Sequence, residues 1–214
     1  ALLSGVAKND NKSITFIEES DPEKIGDKFY EKDGYTKIKP SSFVAVGAPR
    51  GILRAGMQGL SKSNSNKKDI IPLPNNSPYG TVDVNIDSCT ICLSCVSACP
   101  AGALQDNPDS PQLLFREDAC LQCGICAATC PEKAISLNSQ FNLNDNAMSA
   151  KVIIEDQPFD CIVCGKTFGS TKSIERIIEK LSTHTMFEKD GRTEMLKMCE
   201  DCRVGEMFKE NDKM

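Results

Sequence analysis

Eight cysteines between Cys89 and Cys130 form two copies of one pattern. The first copy carries Cys89, Cys92, Cys95 and Cys99 followed by Pro100; the second carries Cys120, Cys123, Cys126 and Cys130 followed by Pro131. No other feature restricts the fold as tightly. Three thiols within seven residues wrap the chain around one corner of a metal centre, and a fourth ligand then has to arrive from elsewhere. A pair of zinc sites is the competing reading, but zinc usually takes paired C-x2-C units rather than C-x2-C-x2-C-x3-C-P.

The repeat resembles the bacterial two-[4Fe–4S] ferredoxin module. That resemblance implies a crossed ligand set, in which each copy lends its last cysteine to the other cluster. One cluster would then use Cys89, Cys92, Cys95 and Cys130, and the other Cys120, Cys123, Cys126 and Cys99. It also implies electron transfer. Residues 84–89 align with 115–120, and return strands are expected near 103–105 and 134–137 after a short helical turn. Each copy is thus strand, cluster loop, short helix and strand, related to its twin by a pseudo-twofold. Ile91, Leu93, Val96, Ala98, Leu121, Ile125 and Ala127 are apolar or small, so they are expected to exclude water while loop N–H groups bond to sulfur. Leu93 stands where the second copy has Gly124, so the two clusters are expected to differ in potential. A fold this poor in regular structure depends on its metal groups.

The flanks read differently. Residues 1–76 contain no cysteine and form a small α/β segment ending in a linker. A strand is expected over 13–17. A helix then starts at Asp21-Pro22, with Asp as N-cap and Pro at the first helical position. It carries Ile25, Phe29 and Tyr30 and ends near Gly34. A second strand is expected over 43–46, and a second helix over 50–60 with Ile52, Leu53, Met57 and Leu60 inward. Gly51, Gly56 and Gly59 weaken that helix. Residues 61–69 are a polar connector, and the prolines of 71–80 favour an extended lead-in. The dicluster domain follows over 77–148.

A third region, 149–214, holds the remaining cysteines as Cys161, Cys164, Cys199 and Cys202. Two C-x2-C pairs facing each other make a closed four-thiolate site, the usual structural zinc arrangement. Gly165 permits a tight turn after the first pair, and Val204, Met207 and Phe208 after the second imply that it opens a helix. This resembles a zinc-ribbon or treble-clef domain. A mononuclear iron site of the rubredoxin kind is the alternative, although Glu200, Asp201 and Arg203 replace the Pro and Gly expected there. A third cluster is a further one. Ile174, Ile177, Ile178 and Leu181 define an apolar helix face, with Met195, Leu196 and Met198 placed to pack on it. His184, the only histidine, is expected at the surface or in packing, so a two-cysteine, two-histidine finger is excluded.

The formal charge of −5 counts against broad binding to phosphate backbones. It suits a carrier that docks on basic patches of redox partner proteins. Thiolate clusters need reducing conditions, so a cytoplasmic location is expected, and no apolar run approaches the roughly 20 residues of a membrane span. No nucleophile–base set is present, so the chain reads as an electron carrier without its own catalytic site. From about 72 to 204 it also resembles the C-terminal part of larger bacterial multi-cluster iron–sulfur proteins. The stretches that carry this are 89–104, 120–132, 161–166, Met186-Phe187 and 198–204. Some members of that family are linked with formate dehydrogenase systems. The resemblance implies a fragment, with residues 1–70 as the tail of a longer domain. The overall class is α+β. A regulatory or nucleic-acid-associated metalloprotein is the alternative function, with Arg50, Arg54, Lys62, Lys67 and Lys68 as its contacts.

Overall fold

The computed structural model of the chain describes Leu2 and residues 18–30, 39–64, 69–184 and 192–211. The strand expected over 13–17, the helix end near Gly34, and Met186-Phe187 lie outside the described residues. Helix α1, Pro22–Tyr30, begins as its sequence requires: the Glu23 N–H donates to Asp21 Oδ1 at 3.1 Å and Pro22 needs no donor there. Ile25 and Tyr30 on it are exposed.

Helix α2, Pro49–Ser63, runs beyond the expected 50–60 and absorbs the start of the polar connector. Its glycines have a use. A methyl group at Gly56 would come within 3.1 Å of the Phe43 ring, and one at Gly59 within 2.5 Å of the Ser41 hydroxyl. The bare helix backbone therefore lets the extended segment before it lie alongside. That segment forms no strand, contrary to the sequence expectation for 43–46, because Phe43 lies against α2 rather than along a sheet; Val44 and Val46 are exposed. The inward face of α2 also differs from the expected one. Arg54 and Met57 are buried, while Leu53 faces solvent.

Two three-stranded antiparallel sheets build the middle of the molecule. Strands β1 (Ile70–Pro72), β2 (Gly80–Val84) and β5 (Ile135–Asn142) form one, in the order β1-β5-β2. Strands β3 (Leu104–Asn107), β4 (Ser110–Phe115) and β6 (Lys151–Glu155) form the other, in the order β3-β4-β6. The pairing is reciprocal between the copies. The first strand of copy one joins the last of copy two, with Val84 opposite Ile135; the last of copy one joins the first of copy two, with Leu104 opposite Phe115. Short helices α3 (Ser94–Ser97) and α4 (Ile125–Thr129) follow the two cysteine loops and pack on each other. Gly80 is a close-approach position, since a Cβ there would collide with the Asn138 carbonyl across the strand pair.

One core holds Val82, Ile91, Leu104, Leu113, Phe115, Ile135 and Ile154 together with Cys95, Cys120 and Cys126. Cysteines are thus part of the apolar packing and not an addition to it. A second core gathers Met57, Ile71 and Phe141, through which α2 and β1 seat on β5. Arg54 donates to the Asn142 carbonyl at 2.5 Å, and Gln58 to that of Leu143 at 2.9 Å. A buried cation needs such partners, and its burial lowers its pKa.

The remaining elements form a hairpin, β7 (Pro158–Asp160) with β8 (Thr167–Ser170), then helix α5 (Thr171–Leu181), a 3-10 segment (Arg192–Lys197) and helix α6 (Glu200–Asn211). Ser170 caps α5, accepting from the Ser173 N–H at 3.3 Å. The apolar face of α5 is narrower than expected: Ile174 is buried, Ile178 and Leu181 half-buried, and Ile177 exposed. Leu196 is the buried residue of the 3-10 segment packed against it. His184 is exposed. Among the described residues no helix is long and apolar enough to cross a membrane.

Candidate metal centres

The two cysteine loops share a backbone path that their sequences only half reveal. Ile91 and Leu93 have φ of 51° and 58°; their equivalents Gln122 and Gly124 have φ of 55° and 78°. Three of these four are not glycine, so each bears of order 1–3 kcal/mol of local strain. A further turn after each fourth cysteine, with Gly102 at φ 57° and Lys133 at φ 51°, directs N–H groups at sulfur. Ala103 N–H donates to Cys99 Sγ at 3.3 Å, and its equivalent Ala134 to Cys130 Sγ at 3.3 Å.

Each half of the repeat opens onto its own cavity. One is lined by Cys89, Cys92, Cys95 and Cys130 with Ile91, Leu93, Leu113 and Ile135. The other is lined by Cys99, Cys120, Cys123 and Cys126 with Val82, Leu104, Phe115 and Leu121. Cys99 and Cys130 each stand on the wall of the cavity made by the other copy. Cys92 and Cys123 are exposed, while Cys95, Cys120 and Cys126 are buried. Leu121 and Ile125, expected to exclude water, are instead 46% and 42% exposed, so the Cys123 side of its cavity reaches the surface.

Electrostatics show what these thiols need. Burial, then the neighbouring Cys89, Cys92 and Cys126, push the Cys95 thiol up to about 12. Burial likewise raises Cys89 and Cys126. Burial opposes ionisation of Cys99 too, but the N–H groups of Leu104, Ala103, Ala101 and Gly102 outweigh it and lower its pKa. Apolar cavities ringed by four sulfurs disfavour thiolates unless a cationic group shares the space. The donor set therefore fits a sulfur-ligated metal group.

Cys161, Cys164, Cys199 and Cys202 are arranged far more tightly. Their four Sγ atoms all lie within 4.8 Å of one another, with Cys164 and Cys199 at 3.7 Å. The first pair sits in the turn between β7 and β8, closed by Gly165 N–H to the Cys161 carbonyl and Cys161 N–H to that of Lys166, both 2.9 Å. Gly165 takes φ of 72°, as its place after the knuckle requires. The second pair stands at the start of α6, and Cys199 N–H donates to Cys161 Sγ at 3.3 Å. Burial resists ionisation of Cys161, yet N–H groups of Cys164, Cys199 and Val163 bring it down to about 6. Hydrogen bonding to Cys164 and Cys199 holds the Cys202 proton, raising that thiol to about 12. Four sulfurs this close suit one tetrahedral cation, zinc or iron.

Several residues beside these sites carried no signal in the sequence as neighbours of cysteine. Gln122 donates to the Thr81 carbonyl at 2.9 Å and to Cys120 Sγ at 3.4 Å. Arg50 donates to the Cys120 carbonyl at 2.6 Å. Ser170 Oγ donates to the Thr90 carbonyl at 3.4 Å, and Glu132 pairs with Arg176 and Lys180 of α5, so the C-terminal region rests on the first loop. Apart from Gln122 to Cys120 Sγ, two residues apart, these are long-range contacts, separated by 41 residues or more.

A family model described as a 4Fe-4S dicluster domain matches residues 88–135. No curated protein matches the chain. The chain thus carries a 4Fe-4S dicluster domain over that stretch, an iron–sulfur electron-transfer unit of a kind that is typically non-catalytic, and a separate four-cysteine metal site beyond it.

Proposed function

We propose that the chain relays electrons through two [4Fe–4S] clusters and carries one structural zinc. Cys89, Cys92, Cys95 and Cys130 hold the first cluster; Cys120, Cys123, Cys126 and Cys99 hold the second; Cys161, Cys164, Cys199 and Cys202 hold the zinc. The observation that carries this reading is the exchange of Cys99 and Cys130 between cavities, which is the crossed set expected for two clusters and not for two zinc sites. Reciprocal strand pairing supports a pseudo-twofold between the copies. The knuckle at a hairpin turn, joined to a second pair at a helix start, supports a treble-clef-like site.

When bound, each cluster supplies a store for one electron at low potential. The protein's part is to hold it and limit water. Leu113 and Ile135 line one cavity and Phe115 and Leu104 the other, while Cys92 and Cys123 leave one side of each open. The relay works within a larger redox protein or complex, of the sort linked with formate dehydrogenase systems, in a cytoplasmic setting. Residues 1–76, 77–148 and 149–214 act as three units, with β1 and β6 as strands that tie the outer two to the dicluster sheets. The regulatory, nucleic-acid-associated alternative is less favoured, because Arg54 is buried and Arg50 is committed to backbone carbonyls.

Anaerobic purification with metal and sulfide analysis, followed by EPR after reduction, tests the reading. The expected content is about eight iron, about eight sulfide and about one zinc per chain. Zinc without sulfide would remove the dicluster, and about nine iron without zinc would make the third site mononuclear iron.

A further inference from the structure

Helix α2 lies outside the cysteine repeat, yet Arg50 in its first turn reaches the loop that leads into Cys120. Its Nε donates to the Asp118 carbonyl at 2.6 Å, Nη2 to the Cys120 carbonyl at 2.6 Å, and Nη1 to the Pro78 carbonyl at 2.7 Å. The guanidinium carbon stands 3.9 Å from the centre of the Tyr79 ring. This fork leaves little freedom for the positively charged side chain. None of the ion pairs among the described residues includes Arg50. The carboxylates two and three residues before Cys120 do not pair with Arg50: Asp118 lies 3.2 Å from Arg116, and Glu117, still charged, accepts from the amides of Gln140 and Asn142, both at 2.7 Å. A fixed cation therefore rests on the backbone of a cysteine that lines the second cavity.

The first cavity has a weaker counterpart. Lys172 of α5 donates to the Ile86 carbonyl at 3.3 Å, three residues before Cys89. It shares an open polar cleft with Asp87, Glu132, Glu175 and Glu179 as well as Arg176. Carboxylates outnumber cations there. The two halves of the repeat are alike in backbone and unlike in the charge applied from outside.

We propose that Arg50 is a positioning residue that raises the reduction potential of the cluster held by Cys99, Cys120, Cys123 and Cys126 above that of the other. The inference rests on the dicluster reading. A cluster bound there would gain one negative charge when an external donor reduces it, and a fixed cation nearby would favour that form. Arg50 touches the loop backbone and acts through it and through its field.

An EPR-monitored redox titration of the anaerobically purified full chain, with dithionite as the reductant, tests this. Cys92→Ser and Cys123→Ser, each altering the spectrum of one cluster, assign the signals. Arg50→Gln is expected to lower the midpoint of the Cys120 cluster by about tenfold in its reduction equilibrium, ~59 mV for a one-electron couple. The other midpoint stays in place, and Arg50→Lys, which keeps the charge, recovers most of the shift. Unmoved midpoints, or equal movement of both, overturn the inference. Should Arg50→Gln not retain iron, the wild-type order decides: the Cys120 cluster must be the higher of the two, and coincident or reversed midpoints overturn it. Wild-type protein lacking iron and sulfide would take the dicluster reading down as well, whereas intact clusters with unmoved midpoints would overturn this inference alone.

Discussion

Around each cavity of the dicluster module four cysteines line an apolar wall, whereas among the described residues only the C-terminal four bring their sulfurs within 4.8 Å of one another. The same side chain serves two regimes. A group that brings its own sulfide needs room, and the protein supplies corners; a single ion needs the thiolates themselves to meet. The surroundings follow. In the module the cysteines are packed among Val82, Leu104, Leu113 and Phe115, so the cysteines and the core are one structure. In the C-terminal site the cysteines sit at a hairpin turn and a helix start, with Cys164 exposed.

Metal removal should separate the two regions most sharply. Oxidative loss of iron is expected to unfold the dicluster module as a whole, seen as loss of both cluster absorption and strand signal in circular dichroism. A zinc chelator that spares iron should melt only the hairpin and α6, although a structural zinc of this type is worth about 10 kcal/mol to its own domain. Retention of the module's strand signal after complete iron loss would break the comparison.

Single ligand changes come next. Cys130→Ser should lower iron by about half, with loss centred on the Cys89 cavity although Cys130 belongs to the second motif in sequence. Cys199→Ser should abolish zinc and leave iron unchanged. Iron loss from the Cys120 cavity in the first variant would refute the crossed set.

Packing effects are smaller. Leu113 is 1% exposed and lines the first cavity, so Leu113→Ala should cost about 2–5 kcal/mol in a denaturant titration of the holoprotein. Ile177→Ala on the exposed side of α5 should change stability by less than about 0.5 kcal/mol.

The smallest effect concerns the contact between the two regions. Lys180 and then Arg176 donate to Glu132 and hold its carboxyl below the usual carboxylate range. Its contribution is therefore complete above the unfolded carboxylate pKa and is lost as pH falls through the lower folded value. Glu132→Gln should slightly lower the melting temperature at neutral pH, and the difference from wild type should vanish in acid. A difference that persists in acid would assign the contact to shape rather than charge.

Much of the chemistry was legible in the sequence. The spacing of each cysteine set, the proline after each fourth ligand, the N-cap at Asp21 and the helix opening at Cys199 are local features, set by residues a few positions apart. What failed is non-local. Leu53 was expected inward, but α2 buries Arg54, because the carbonyl of Asn142 and the ring of Phe141 await it on β5. The segment 43–46 looked like a strand, but it found a glycine-lined helix beside it and no sheet edge. Leu121 and Ile125 read as water-excluding residues, and nothing in the loop itself told which side would face out.

Ligand number, ligand type and loop length were settled along the chain, since coordination chemistry acts over a few residues and tolerates few substitutes. Which flanking helix covers which loop, and where Arg50 places its charge, were settled in space. Those outcomes depend on surfaces 41 to 88 residues apart meeting, and no local pattern encodes the surface that the other side will present.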